Sequence, residues 1–193
     1  MLTSAPPFTF VDIGMNVGIT SLFFANKPTC KRVIGFEPFQ PTLSFAKKNL
    51  ERNMISAKIQ VNEYGLGYPE RTIKVNYSEE TKGSIGIYNQ IPWYINDKKS
   101  IHEEPLCIRD VYEALNEIVD ENIILKIDCE GCEYEILERL NNTELLSRYE
   151  IIMIEWHHNG SASLRKILLD NNFKVLSMGD HNSHNGMLYA FRK

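Results

Sequence analysis

Residues 11–18 read VDIGMNVG, a segment in which one acidic residue precedes two glycines. Asp12, Gly14, Asn16 and Gly18 follow an apolar stretch typical of a strand and precede a stretch typical of a helix. Glycines at such a turn allow the backbone to approach a bound ligand closely. The arrangement predicts a ligand-binding loop, but a fixed carboxylate at its mouth would repel a phosphate group.

A second acid extends this interpretation. Glu37 ends the next predicted strand, about 20 residues after Gly18, which is the spacing at which an acid accepts the hydroxyls of a bound ribose. The loop and the distant acid together favour an adenosine-type ligand, with Pro38 and Phe39 beside its base.

Two features of the loop distinguish between adenosine ligands. Asn16 and Ile19 occupy positions that a dinucleotide fingerprint fills with glycine, and Asp12 lies where a pyrophosphate would bind. S-adenosylmethionine carries an ammonium and a sulfonium group instead, and opposite charges about 4 Å apart gain ~1–4 kcal/mol. The loop therefore predicts S-adenosylmethionine in contact with Asp12. A structural alternative is that Asp12 only caps the following helix and that the glycines form a tight turn.

Another group of polar residues occurs in LKIDCEGCEYEIL and IEWHH. Strand alternation places Lys126, Asp128 and Glu130 on one side, and Glu155 and His157 together on the adjacent strand. Such a cluster can orient a substrate hydroxyl, accept its proton or hold a divalent cation. Asp128 is the first candidate for a catalytic base, and Glu155 or His157 is the next; a metal is compatible with the cluster but is not expected.

Each member of this cluster also has a purely structural interpretation. Lys126 and Asp128 can form an ion pair, Glu130 can cap the next helix, and Glu133 and Glu135 can form its solvated first turn. Cys129 and Cys132 form a C-x-x-C pair, but neighbouring negative charge raises a thiol pKa, which disfavours a reactive thiolate. These cysteines are expected to be small buried side chains.

The elements that position these residues alternate between strands and helices. This pattern predicts an α/β fold: a doubly wound, mostly parallel seven-stranded sheet with an antiparallel edge strand. At 193 residues, the chain is predicted to be a single domain over 1–193, with an irregular or β-hairpin insertion at about 67–105. Four aromatic residues in that insertion are compatible with either stacking on a sugar or packing over the sheet edge: Tyr77, Tyr88, Trp93 and Tyr94.

The predicted elements follow the chain in order. The strands are Phe8 to Ile13, RVIGFEP, KIQVNEY, NIILKID, YEIIMIEW, FKVLSM and MLYAFR, with extended segments RTIKVNYS and SIGIYN in the insertion. The helices are Val17 to Ala25, Pro41 to about Met54, Asp110 to Ile118, CEYEILERL and SASLRKILLDN.

Composition excludes several classes of protein. A formal charge of −4 and a pI near 5.8 give no electrostatic basis for binding nucleic acid or an anionic membrane. The N-terminus has no secretory signal pattern, and no apolar stretch approaches the ~20 residues that span a bilayer. The expected compartment is the cytoplasm.

The motifs also resemble a known family in their order and spacing. VDIGMNVGITSLFFA, VIGFEP, YGLGYPERTIKV, LKIDCEGCEYEIL and IIMIEWHH together resemble the FkbM-type methyltransferases. The D-x-G-x-N-x-G loop occurs in many methyltransferases, whereas the K-I-D-x-E-G-x-E block is much more particular. The resemblance extends over almost the entire chain.

This resemblance implies a class I methyltransferase fold, which is Rossmann-like. It also implies S-adenosylmethionine as donor and a hydroxyl oxygen as acceptor, on a sugar, a glycan or another small-molecule natural product. Carried over by position, the glycine loop lines the methionine end of the donor, Glu37 binds the ribose, and Tyr64, Gly65 and Leu66 lie near the adenine. The complete set of predicted cofactor contacts is Asp12, Gly14, Asn16, Val17, Gly18, Glu37, Pro38, Phe39, Tyr64, Gly65, Leu66 and Asp128.

This sequence departs from the family pattern at its start. The first strand begins close to Met1, so the segment that commonly precedes it is not seen. Three alternatives are compatible with this start: the acceptor pocket is open, it is completed by a second subunit in a homo-oligomer, or it is lost. The alternatives to a methyltransferase are a non-catalytic nucleoside-binding domain and, less favoured, an NAD-dependent oxidoreductase.

Overall fold

The structure, a computed structural model, describes residues 6–77 and 101–193. The predicted extended segment SIGIYN and the aromatic residues Tyr88, Trp93 and Tyr94 lie outside these residues. The described strands are β1 Phe8–Ile13, β2 Cys30–Phe36, β3 Ile59–Asn62, β4 Gly65–Gly67, β5 Arg71–Tyr77, β6 His102–Asp110, β7 Ile123–Ile127, β8 Tyr149–His157, β9 Phe173–Met178 and β10 Asn185–Arg192. The α-helices are α1 Ile19–Ala25, α2 Gln40–Glu51, α3 Val111–Asn116, α4 Glu133–Asn142 and α5 Ala162–Asp170.

The larger sheet has seven strands in the order β3-β2-β1-β7-β8-β10-β9. The pairs β2–β3, β1–β2, β1–β7 and β7–β8 are parallel, and β10 is antiparallel to both β8 and β9. The predicted doubly wound fold is confirmed. One detail differs, because the antiparallel strand lies between β8 and β9 and not at the edge of the sheet.

Strand alternation divides the core into two layers. Phe10, Val33 and Ile124 face α1, where Phe10 stacks on Phe24 with ring centroids 3.9 Å apart. On the opposite face, the alternate residues of β1, β2, β7 and β8 pack with α3, α4 and α5 in the largest apolar cluster. Burial on both faces explains why these parallel strands are continuously apolar in sequence.

A smaller sheet of three strands follows β3, in the order β4-β6-β5. β5 pairs antiparallel with β6 along its whole length, from Arg71 opposite Ile108 to Tyr77 opposite His102. The inward-facing residues of this sheet form a separate cluster that contains Phe39. Of these strands, β5 lies within the insertion predicted at about 67–105, whereas β4 ends near its start and β6 extends beyond its end. That division of the chain remains a prediction.

Most predicted elements agree with the structure within a few residues. β1 and β9 have the predicted bounds. The predicted helix from Pro41 to Met54 is shorter, because α2 ends at Glu51 and a 3₁₀ turn, Met54–Lys58, follows it.

The direction of winding reverses between β1 and β7, because β2 and β3 lie on one side of β1 and β8 lies beyond β7. Ligands of open α/β sheets bind at the carboxyl ends of the strands at such a point. Gly14 allows the end of β1 to approach the end of β7 closely. Its φ is +77°, and a Cβ added to it would overlap the carbonyl oxygen of Asp128.

Alanine substitutions at Gly14 and Gly18 should therefore have unequal effects. Gly18 also has a positive φ, +80°, but a Cβ there would lie 3.4 Å from its nearest neighbour, the Met15 Cε atom. Gly18→Ala should lower the free energy of unfolding by about 1–2 kcal/mol through backbone strain. Gly14→Ala should cost at least about 4 kcal/mol, because it adds a backbone overlap.

Urea denaturation of both variants measures this difference, with Gly18→Ala as the matched control for positive φ. Equal losses of stability in the two variants would contradict the close contact between the β1 and β7 ends.

Candidate active site at the switch point of the sheet

The glycine loop is a compact turn in which every second residue has a positive φ. These values are +77° at Gly14, +52° at Asn16 and +80° at Gly18. The backbone N–H groups of Gly14 and Met15 both donate to the carbonyl oxygen of Phe36 at 3.0 Å. The loop is thereby tied to the end of β2, and it leaves Asn16 exposed and Val17 half-buried.

Glu37 connects the end of β2 to this loop. Its Oε2 accepts the backbone N–H of Asn16 at 2.9 Å, and its Oε1 accepts that of Phe39 at 3.0 Å. Burial raises the pKa of this carboxyl to about 7, although the two backbone donors act in the opposite direction. A carboxylate has about four acceptor positions, so two remain for other donors at the edge of the loop.

Asp12 differs from its prediction. Its side chain is completely buried, its Oδ2 accepts a hydrogen bond from the Ser21 hydroxyl at 2.7 Å, and its Oδ1 forms an ion pair with the Lys126 Nζ atom at 3.1 Å. Burial raises the pKa of Asp12, and Lys126 and Ser21 oppose that rise. The carboxylate therefore faces the protein interior, which corrects the interpretation that it presents its charge to a cationic ligand.

Lys126 binds three groups with one ammonium. Its Nζ atom lies 3.1 Å from Asp12 Oδ1, 3.2 Å from Asp128 Oδ2 and 3.1 Å from the carbonyl oxygen of Gly14, to which it donates. Although burial alone would lower the pKa of Lys126, the two carboxylates raise it. The lysine is therefore charged, and it joins the end of β1 to the end of β7.

The residues predicted to surround the adenine are in two different environments. Pro38 and Tyr64 are half-buried, and the Tyr64 ring lies between Phe36 and the Arg109 guanidinium, whose carbon is 4.1 Å from the ring centroid. Phe39 and Leu66 are instead core residues. Phe39 packs edge-on against Tyr77 in the smaller sheet, so contact of these two apolar side chains with a ligand is not supported.

Gly65 has a packing role in the same region. A Cβ at this position would lie 2.7 Å from Ile108 Cδ1 and 3.2 Å from Pro38 Cγ. The absence of a side chain therefore lets β4 approach both β6 and the residue after Glu37.

A cavity of about 580 Å³ opens between β2, β3, β6 and α3. Phe36, Asn62, Tyr64, Arg109 and Glu113 are among the residues that line it. Of the five residues predicted around the adenine, Tyr64 alone contributes to its wall. The cavity is predominantly polar and extends along the face of the sheet opposite Asp12.

The second predicted cluster comes together at the ends of β7 and β8. One potential ligand atom from each of Asp128, Glu155 and His157 lies within 4.8 Å of the other two. His157 Nε2 is 3.5 Å from Glu130 Oε2 and 3.8 Å from Glu155 Oε1. The structure therefore places these residues side by side, as strand alternation predicted, and their catalytic roles remain a prediction.

Glu133 is the residue of this cluster that sequence reasoning missed. It is completely buried in the first turn of α4, where its Oε2 accepts the Gly131 N–H at 2.7 Å and its Oε1 hydrogen-bonds with His157 Nδ1. The interpretation as a solvated first turn is wrong for this residue. Glu135 is half-buried and forms an ion pair with Arg71 at 2.8 Å.

Carboxylates control the charge of His157. Burial acts to lower its pKa, but the hydrogen bond to Glu133 and the charges of Glu133, Glu130 and Glu155 raise that pKa to about 9. Burial likewise raises the pKa of Glu155, and the charge of Asp128 adds to that rise. The cluster therefore favours a positive charge at the imidazole.

The cysteine pair beside this cluster has the environment expected of structural residues. Cys132 is buried in the main core, and Cys129 is half-buried. Burial raises the pKa of the Cys129 thiol well above its usual value, and the charges of Glu133 and Asp128 act in the same direction. A high thiol pKa disfavours nucleophilic chemistry at neutral pH.

The fold is that of the class I methyltransferases. Its strand order reverses at a glycine loop, an acid follows β2, and further acids lie at the ends of β7 and β8. A family model for the methyltransferase FkbM domain matches residues 12–175. The chain belongs to this family.

Two known proteins illustrate the similarity. Methyltransferase 1 of Beauveria bassiana is 24% identical over 176 residues, which are 83% of this chain and 70% of that protein. The crystal structure of methyltransferase FkbM from Methylobacillus flagellatus superposes with a TM-score of 0.57 at 18% identity. The match covers 95% of this chain but only 43% of the FkbM chain.

A third match is the structure of TrmK from M. capricolum in complex with S-adenosylhomocysteine. It has a TM-score of 0.56 and 14% identity, and it covers 97% of this chain and 63% of that chain. At this identity the likeness shows the fold alone. None of the helices in the described part of this chain has the length and apolar composition required to cross a bilayer.

Replacing Lys126 by methionine should strongly destabilise the protein, because Asp12 would then be buried without its ion-pair partner. Loss of one partner from a buried pair typically costs about 3–5 kcal/mol. Adding Asp12→Asn should restore part of that loss, because the uncompensated charge is removed. Urea denaturation of the wild type, both single variants and the double variant gives the coupling energy. Additive effects of the two substitutions would contradict the pairing.

Proposed function

We propose that this protein is an S-adenosylmethionine-dependent methyltransferase that transfers a methyl group to a hydroxyl oxygen of a sugar, a glycan or another natural product. The observation that carries the proposal is the position of Glu37. Its carboxylate is fixed by the N–H groups of Asn16 and Phe39, directly beside the glycine loop. This arrangement is suited to accepting two ribose hydroxyls at the switch point of the sheet.

The donor would lie across the ends of β1 and β2. Its ribose would reach Glu37, its adenine would extend toward Pro38 and Tyr64, and its methionine portion would cross the loop at Gly14, Asn16 and Gly18. The complex of M. capricolum TrmK with S-adenosylhomocysteine supports an adenosyl ligand for this fold. Since Asp12 is committed to Lys126, the attraction for the sulfonium comes from acids that remain accessible: Asp128, Glu130 and Glu155.

Methyl transfer is a direct displacement. The acceptor oxygen forms a bond to the methyl carbon while the carbon–sulfur bond breaks, and the sulfur keeps the electron pair to give S-adenosylhomocysteine. Because the leaving group is already activated, much of the catalytic task is alignment of the two reactants. The acceptor hydroxyl must also lose its proton, which a positioned carboxylate can accept.

Asp128 is the first candidate for that base. Lys126 holds one of its oxygens at 3.2 Å, and about a third of its side chain is exposed at the carboxyl end of β7. Glu155 is the second candidate, since its side chain has a similar exposure on the next strand. The Nδ1 atom of His157 is already bonded to Glu133, so only its Nε2 atom faces the same space.

Calorimetry and a transfer assay together test this function. S-adenosylmethionine and S-adenosylhomocysteine should bind saturably, and NAD should not. With isotopically labelled S-adenosylmethionine, a panel of glycans and alcohols should contain an acceptor. Asp128→Asn should lower the rate of transfer at least about 100-fold, while Glu63→Gln, an exposed acid at the end of β3, should leave it unchanged.

Two outcomes would contradict the proposal. Binding of NAD in preference to sulfonium ligands would favour an oxidoreductase. Binding of S-adenosylmethionine with no transfer to any acceptor would favour a non-catalytic nucleoside-binding domain. Full turnover by Asp128→Asn would exclude that residue as the base.

Donor affinity should also depend on pH through Glu37. Burial and the nearby charge of Asp12 raise its pKa, Lys126 and the two backbone donors lower it, and the resulting pKa is about 7. If only the ionised carboxylate accepts ribose hydroxyls, the Kd for S-adenosylhomocysteine should rise about tenfold from pH 8 to pH 6. Glu37→Gln, which cannot ionise, should bind weakly with a flat profile. An equal pH dependence in both proteins would exclude Glu37 as the source.

A further inference from the structure

The three side chains at the ends of β7 and β8 have a property that methyl transfer alone does not require. We propose that Asp128, Glu155 and His157 form a binding site for a divalent cation of the Mn²⁺ type. Such a cation accepts both carboxylate oxygen and imidazole nitrogen as ligands. The sequence-based expectation was that a metal is compatible with this cluster but not expected there.

The distances are compatible with a shared cation. The three ligand atoms all lie within 4.8 Å of one another. Two ligands on one cation are separated by at most twice the metal–ligand distance, which is about 4–5 Å for oxygen and nitrogen ligands. One ion can therefore contact all three atoms after only small side-chain adjustments.

The orientation of His157 is the observation that points to a ligand. Glu133, which is completely buried, holds its Nδ1 atom and thereby fixes the ring. The Nε2 atom is directed toward Glu130 and Glu155 at 3.5 and 3.8 Å, and no hydrogen bond to it occurs among the residues that the structure describes. The imidazole is more than nine-tenths buried, so this nitrogen is largely desolvated, and its contacts with Glu130 and Glu155 are long ion pairs and not hydrogen bonds. A buried carboxylate on one nitrogen and an open second nitrogen are typical of a metal-binding histidine.

The local charge also favours a cation. Four carboxylates lie around the imidazole: Asp128, Glu130, Glu133 and Glu155. Lys126 is the nearby cation, but it is shared between Asp128 and the buried Asp12. As it binds, a divalent ion would replace the Nε2 proton of the His157 imidazolium, so one proton is released and the site gains one positive charge against the surrounding carboxylates.

The role of this ion in catalysis rests on the proposed function. A cation at the ends of β7 and β8 would lie where the acceptor hydroxyl must approach the donor. It would act there as a Lewis acid that makes the hydroxyl easier to deprotonate. Asp128 and Glu155 would then position the acceptor through the ion as well as directly.

Electron paramagnetic resonance of added Mn²⁺ tests the site without any knowledge of the acceptor. The wild type should bind one Mn²⁺ with a Kd below about 1 mM, and its electron spin echo should show modulation from a directly bound ¹⁴N. Asp128→Asn and Glu155→Gln should each weaken binding at least about tenfold. His102→Ala, at an exposed histidine of β6, is the control and should bind normally.

His157→Ala is less suitable alone, because it would leave Glu133 buried without its partner. The two isosteric carboxylate variants avoid this problem. Absence of saturable Mn²⁺ binding by the wild type would overturn the proposal, and so would binding that lacks the nitrogen signal or survives both carboxylate substitutions. Calorimetry with S-adenosylhomocysteine on the same samples separates failure of the metal site from failure of the proposed function.

Discussion

The ammonium of Lys126 is the contact on which the site depends. It joins the buried carboxylate of Asp12, the carboxylate of Asp128 and the carbonyl oxygen of Gly14. These three groups belong to the ends of β1 and β7, which are the strands that flank the switch point. Removing one partner from such a buried network leaves an uncompensated charge. The positions of the β1 and β7 ends are therefore strongly constrained, and with them the geometry of the crevice that these ends form.

This contact separates two regions of the crevice. On one side, backbone hydrogen bonds tie the glycine loop to the end of β2 and to Glu37, and these residues together form one surface. On the other side, Asp128, Glu155 and His157 form an acidic surface at the ends of β7 and β8. Under the proposed function, a cofactor on the first surface and an acceptor hydroxyl on the second would meet close to Lys126, as an in-line transfer requires.

Sequence reasoning predicted the elements of the sheet and the residues at its carboxyl edge, because apolar alternation and glycine spacing are local properties. It assigned a cationic ligand to Asp12 as partner, because the sequence of the loop does not show that β7 lies beside β1. The register of β1 against β7 places Asp12 opposite Lys126, and only that pairing shows where the charge is neutralised. The presence of an apolar, lysine-containing strand was visible in the sequence, but its position beside β1 was not.

Other errors have the same physical origin. Glu133 has the pattern of an exposed acid in a first helical turn, and only the proximity of His157 on β8 explains its burial. Phe39 and Leu66 are adjacent to predicted cofactor residues, but the smaller sheet, which depends on pairing between β5 and β6, buries them. The sequence placed these segments near the site correctly. Which of their residues face the crevice depends on long-range packing.

A crystal structure of the complex with S-adenosylhomocysteine would test the central claim most directly. We expect ribose hydroxyls within hydrogen-bonding distance of Glu37, while the Asp12 carboxylate remains bonded to Lys126 and Ser21. A complex in which Asp12 has turned to the amino group of the ligand and Lys126 has moved away would contradict it.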